Sequence, residues 1–196
     1  MQPEYLEQIK DYYLEDAKKH LQVIEQHLLN LQSTIEDPEK INQLFHVTRC
    51  SIVGGANMLP ISQLHIRSIH EAGLCLVECF NVFQQESSVQ VDQPLQDLLI
   101  QVFYTLKKLI EAMSESSGLT DEQVMQVMTE MESVRESLKI HLKELIYRSR
   151  QVNDSDKAVA SDAADDVPTV DELQVLIDEL LIDNSAVPNS NQPKSN

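Results

Sequence analysis

The chain of 196 residues has no Trp, only four Gly, three Cys and nine aromatic residues, and each scarcity narrows the reading. Few glycines and aromatics, beside abundant Leu, Glu, Gln and Ile, favour helices over sheets, because straight-chain residues lose little rotamer freedom in a helix. Three cysteines, an odd number, make no disulfide framework. No run approaches the roughly 18 to 20 apolar residues that span a bilayer, so no membrane partner is expected. Cations are scarce too: 15 Lys and Arg stand against 32 Asp and Glu, a formal charge of −17. A polyanion is repelled by phosphate backbones, which sets nucleic acid aside as a partner. The opening Met1-Gln2-Pro3-Glu4 lacks the basic start and apolar stretch of a signal peptide, and a cytoplasmic location is the expectation.

The charge is uneven. Residues 1–150 carry 13 basic and 22 acidic side chains, net −9, whereas residues 151–196 carry 2 and 10, net −8. The first stretch is expected to be one helical domain, the second an acidic linker and tail. Residues 151–168 are rich in Asp, Ala, Ser and Asn without apolar period, and cannot bury enough surface to offset their ordering entropy, so disorder is predicted there. Asn184 to Asn196 reads likewise. Between them, Thr169-Val170-Asp171-Glu172 has the pattern of a capping box, and Val170, Leu173, Leu176, Ile177 and Leu180 follow at helical spacing. A short amphipathic helix over 169–182 is predicted. It either folds back on the body or serves as a tethered docking peptide for a partner's groove.

In the body, Leu6, Ile9, Tyr13, Ala17, Leu21, Ile24, Leu28 and Leu31 step by three or four. Glu36-Asp37-Pro38-Glu39 ends that helix and opens another, in which Ile41, Leu44, Phe45 and Thr48 lead toward Ile52. A third segment from Ser62 to Phe83 is apolar nearly all round at Leu74 to Phe80, which implies burial on most sides. A fourth follows Asp92 and Pro94, with Leu95, Leu99, Val102, Leu106, Leu109 and Met113 on one face. A fifth opens with the capping box Thr120-Asp121-Glu122-Gln123 and places Val124, Val127, Met131, Val134, Leu138 and Leu145 together. The expected fold is all-α, an antiparallel bundle of four to five helices.

Within this pattern, Glu25-x-x-Leu28-Leu29-x-Leu31 is followed by Ile41-Asn42-Gln43-Leu44-Phe45, then by Ser51-Ile52-Val53-Gly54-Gly55-Ala56-Asn57-Met58-Leu59. Residues 3 to 147 so resemble the histidine-containing phosphotransfer (HPt) domain at the N-terminus of CheA-type kinases, above all its cyanobacterial members. That family carries Phe-Arg-x-x-His-Ser-x-Lys-Gly-Gly-Ala on its second helix. Its exposed His passes a phosphoryl group to the aspartate of a receiver domain, and the glycines let the partner approach. Here the glycines are present and the His is not. Counting back from the glycines puts Cys50 at the phosphoacceptor position, whereas counting forward from Phe45 puts Arg49 there, because one extra residue lies between. The family's Lys is Val53, and its His-x-x-Glu stretch reads His70-Glu71-Ala72-Gly73.

The resemblance therefore implies an HPt-like signalling module without a phosphoacceptor, a binding protein rather than an enzyme. It would dock a response-regulator receiver domain or a CheA-type kinase through Arg49, Ile52, Val53, Gly54, Gly55 and Ala56. Two other readings stand beside it: an active phosphotransfer intermediate using a displaced histidine such as His46, one turn before Cys50, and a structural protein that self-associates through its apolar third helix or its tail helix. Cys75 and Cys79 share a helix face with His65 and His70 upstream, but lie in the most apolar segment and read as core. Met125, Met128 and Met131 read as core filler. With no Gly-rich phosphate loop, no nucleophilic triad and no paired acids, neither a cofactor nor a metal is expected.

Overall fold

The structure, a computed structural model, describes residues 3–59, 61–114 and 118–157. Among them every regular element is helical: α1 (Pro3–Leu29), α2 (Leu31–Ile35), α3 (Pro38–His46), a π-helical segment (Val47–Gly54), α4 (Gln63–Gln85), α5 (Gln93–Glu111), a 3-10 turn (Ala112–Ser114) and α6 (Asp121–Lys157). The chain divides after Asp154 into two units, and the helical bundle is the first. The expected tail helix, with Val170, Leu173, Leu176, Ile177 and Leu180, lies outside the described residues.

Local chemistry sets the ends of these helices. Asp37 accepts from the backbone N–H groups of Glu39 and Lys40, and Pro38 enters at the first helical position, where no N–H is needed. Ser62 and Asp92 cap α4 and α5 in the same manner. The predicted box at α6 closes in both directions, with Gln123 N–H on Thr120 Oγ1 at 3.3 Å and Thr120 N–H on Gln123 Oε1 at 2.9 Å.

Two boundaries differ from the sequence reading. The first helix stops at Leu29 instead of running through Leu31: Asn30 leaves helical geometry (φ −120°, ψ 41°) and its side-chain amide donates to the Gln26 carbonyl. Gln96 of α5 donates to the carbonyls of Leu28 and Leu29, which the broken helix leaves unpartnered. The last helix continues to Lys157, seven residues into the stretch read as linker.

The core lies around α4, which packs against α3, the π segment and α5, while α1 packs on α5 and the π segment. Ile69, Ala72, Leu76, Phe80 and Phe83 of α4 are fully enclosed, so the apolar side chains once available for self-association are used inside the bundle. Leu74 is the exception, on the exposed side. From α6, Val124, Val127, Met131, Leu138, Leu142, Leu145 and Ile146 join this core. The methionines separate: Met131 is buried, Met128 partly buried, and Met125 61% exposed. Reading all three as core filler holds for Met131 and for Met128, which packs against the core, but not for Met125, which lies one residue off the inward row of Val124 and Val127.

One close approach depends on a missing side chain. A Cβ placed at Gly73 of α4 would stand 2.4 Å from Val53 Cγ2, inside any permissible contact. Gly73→Ala is therefore expected to cost about 1 to 3 kcal/mol in denaturant unfolding, as overpacking does. In a double-mutant cycle with Val53→Ala most of that loss should return; an additive result would place the strain elsewhere.

Polar ties hold α6 to the rest. His141 Nε2 lies 2.7 and 2.9 Å from the two oxygens of Asp92, and Arg150 pairs with Glu86. Burial pushes the Asp92 carboxyl up, but hydrogen bonds from His141 and the Leu95 N–H, with the charges of His141 and Arg148, outweigh it and leave the group below its ordinary value. A carboxyl with a depressed folded pKa contributes stability above its unfolded value of about 3.9 and loses it as pH falls through the folded one. Melting temperature should consequently drop below about pH 4, and Asp92→Asn should flatten that acid limb when melts are compared across pH.

Candidate functional site

The segment that carries the glycine pair is built on a register problem. Leu44, Thr48, Ile52 and Ala56 are each 0% exposed and sit four residues apart. On a straight α-helix each step of four overshoots a full turn by about 40°, so Ala56 would stand roughly 120° away from Leu44. The wider π turn over Val47–Gly54 removes that drift, because its N–H groups reach the carbonyls five residues back and take in one extra residue without turning the chain beyond it. Inward faces are thereby kept on both sides.

Two side chains secure this turn. The buried Thr48 hydroxyl donates to the Leu44 carbonyl at 2.8 Å, at the join between α3 and the π segment. From α1, Tyr13 donates its hydroxyl to the Ile52 carbonyl at 3.1 Å, where the Gly55 N–H also bonds. Burial pushes the Tyr13 phenol far above its ordinary value, so it stays a neutral donor. Gly55 makes room for it: a Cβ there would lie 3.0 Å from two carbons of the Tyr13 ring. Tyr13 was legible in the sequence only as one member of an apolar stripe, and nothing there marked its hydroxyl as a tie to residue 52.

The outer side of the same turn carries His46, Arg49, Cys50, Gly54, Asn57 and Met58, all exposed. The Arg49 guanidinium rests 5.7 Å from the centroid of the Phe45 ring, whose edge also meets His46. Both candidates for the family's phosphoacceptor position, Arg49 and Cys50, are thus presented to solvent. Of the six residues read as a docking patch, however, Ile52, Val53 and Ala56 face the core, and Gly55 is half-covered by Tyr13. The reading of Ile52 and Val53 as an apolar surface is corrected by the π turn, which rotates them onto α4 and Gly73. The surface that remains is Arg49, Cys50 and Gly54.

The histidines sort by what their rings touch. His65 is fixed on both sides: Ser62 Oγ lies 2.7 Å from Nδ1 and the Leu119 carbonyl 3.1 Å from Nε2, so Nε2 carries the proton that the carbonyl requires. His27 bonds Thr34, and burial followed by the Lys40 charge lowers its pKa. His20 pairs with Asp16 and His141 with Asp92. His70 is half-buried, its Nε2 enclosed without a partner, and the neighbouring Glu71 turns instead to Arg67 at 2.7 Å. His46 alone among the six is exposed.

Cys75 and Cys79 are buried and unbridged. The hydrogen bond that Cys79 donates to Cys75, with burial, pushes the Cys79 thiol well up. Among the described residues no group of three or more potential metal ligands gathers, and no helix is long and apolar enough to cross a membrane.

If Tyr13 fastens the π turn, Tyr13→Phe should lower stability by about 1 kcal/mol, the net worth of one buried hydrogen bond whose acceptor keeps another donor. Amide hydrogen exchange should quicken selectively over residues 47–56. Uniform acceleration across the bundle would mean that the hydroxyl serves only general packing.

No protein-family model, no curated protein and no solved structure matches the chain, so the site is read from its own residues.

Proposed function

We propose that the bundle is an HPt-like module of two-component signalling that has lost its phosphoacceptor and works by docking a response-regulator receiver domain or a CheA-type kinase. The observation that supports it most is the exposure of Arg49 and Cys50 one turn before the exposed Gly54, on a helix whose opposite face stays in the core despite an inserted residue. A surface of that form allows a partner's backbone to come close at Gly54 while Arg49 offers a cation to its acidic groups. Chemistry at this point is poorly supplied. Cys50 is a free, exposed thiol, and the side chain at 53 is an enclosed valine where the family has a cation.

The exposure of His46 favours one second reading, a phosphotransfer intermediate that uses His46 as a displaced acceptor. Its ring meets the edge of Phe45 at a centroid distance of 5.6 Å, and the residue as a whole is exposed.

Arg49→Glu and Gly54→Gln alter only the outer side of the turn and should weaken capture of purified receiver domains or CheA-type kinase by at least about tenfold, with unchanged melting. Unaltered capture by both variants would defeat the docking reading. In parallel, incubation with phosphorylated partner should leave no phosphohistidine on the chain. Label that vanishes in His46→Gln would give the assignment to the second reading. A charged residue at 53 would be driven into the Gly73 contact and would report folding instead of docking.

A further inference from the structure

Between the first halves of α4 and α6 runs an open groove of about 400 Å³, lined by Leu64, Arg67, Ser68, Glu71, Met125, Met128, Thr129 and Glu132. It shares no residue with the Arg49–Cys50 face. The fold uses its apolar side chains only in part: Leu64 and Met128 lean on the core, whereas Met125 stands exposed. Helix α6 already turns Val124, Val127, Met131 and Leu138 inward. Met125 and Met128 form a second apolar row beside that one, with Met125 61% exposed. Opposite them on α4, Leu64 is partly buried at the groove's other wall. Methionine is unbranched and polarizable, and it adapts to apolar partners of differing shape. A groove of this volume receives several apolar side chains from one face of a helix.

Charge identifies the occupant. Helical spacing puts Asp121, Glu122, Glu132 and Glu136 on the Met125 side of α6, and Glu71 and Glu78 on the Leu64 side of α4. These six carboxylates border three cations, Arg67, Arg135 and Lys139, of which Arg67 is already paired with Glu71 and Arg135 with Glu132. The surrounding domain carries a net charge of −9 over residues 1–150. An acidic helix would meet repulsion along both walls, whereas a basic one would be drawn in and oriented. We propose that this groove binds a basic amphipathic helix of a partner protein, its apolar face laid between Leu64 and Met125 and its Lys or Arg residues set against the flanking carboxylates.

Fluorescence anisotropy with the full chain tests this, using labelled Leu/Lys peptides of about four helical turns. The amphipathic Leu/Lys peptide should bind, and a Leu/Glu peptide of the same pattern should not. Met125→Gln with Met128→Gln leaves the charge unchanged and should weaken the Leu/Lys peptide by at least about tenfold. Should the double variant melt early, Met125→Gln alone, at an exposed position, should still show a loss of several fold. Equal binding of a scrambled Leu/Lys peptide, or full affinity in the methionine variants, would reduce the effect to general polyanion attraction and overturn the proposal. Tighter binding of a peptide of residues 169–182 would hand the groove to the chain's own tail sequence. A concentration-dependent rise in mass that Met125→Gln abolishes would hand it to a second copy. Either result would also overturn it.

Discussion

The fold around the glycine pair depends on keeping Leu44, Thr48, Ile52 and Ala56 in one line against the core. Four-residue spacing cannot do this on a regular α-helix, and the π turn is the local solution. The solution is not local in its support. Tyr13 reaches across from α1 to the Ile52 carbonyl, Gly55 yields its side-chain space to that ring, and Gly73 yields its own to Val53. Three helices thus meet where two of the chain's four glycines remove an obstruction. With that line held inward, Arg49, Cys50 and Gly54 are carried outward together.

The same geometry gives a physical reason for an apolar residue at position 53. A cation at position 53 would have to occupy a 7% exposed site pressed on Gly73, where desolvation would be costly. Valine suits that enclosure. Once the turn widens and residue 53 faces α4, an apolar side chain is what the bundle can bury.

Much of the architecture was legible because it rests on short-range rules. The cap at Asp37 with Pro38, the reciprocal box at Thr120 and Gln123, and the stripe from Leu95 to Leu109 each follow from a few residues with fixed spacing. The break at Asn30 was hidden because the apolar period runs through it unbroken, and only its backbone and side-chain amide reveal the stop. At the candidate site the sequence left two registers open, Arg49 or Cys50. What decides the inward face is a hydroxyl 39 residues away in the chain, which no pattern within the segment could announce. Met125 was misread for a simpler cause: three methionines at a spacing of three drift around the helix, from exposed Met125 through partly buried Met128 to buried Met131.

The π turn also has a meaning for chain length. Most single-residue insertions in a helix rotate everything downstream and scramble the core that follows. Here both flanks keep their faces whether the turn closes with four residues or five, so the stretch between Val47 and Gly54 is a place where one codon can be gained or lost without rebuilding either neighbour. Drift in length is buffered at the point where the outward surface is displayed, and that surface can change its residues while the bundle beneath it stays as it was.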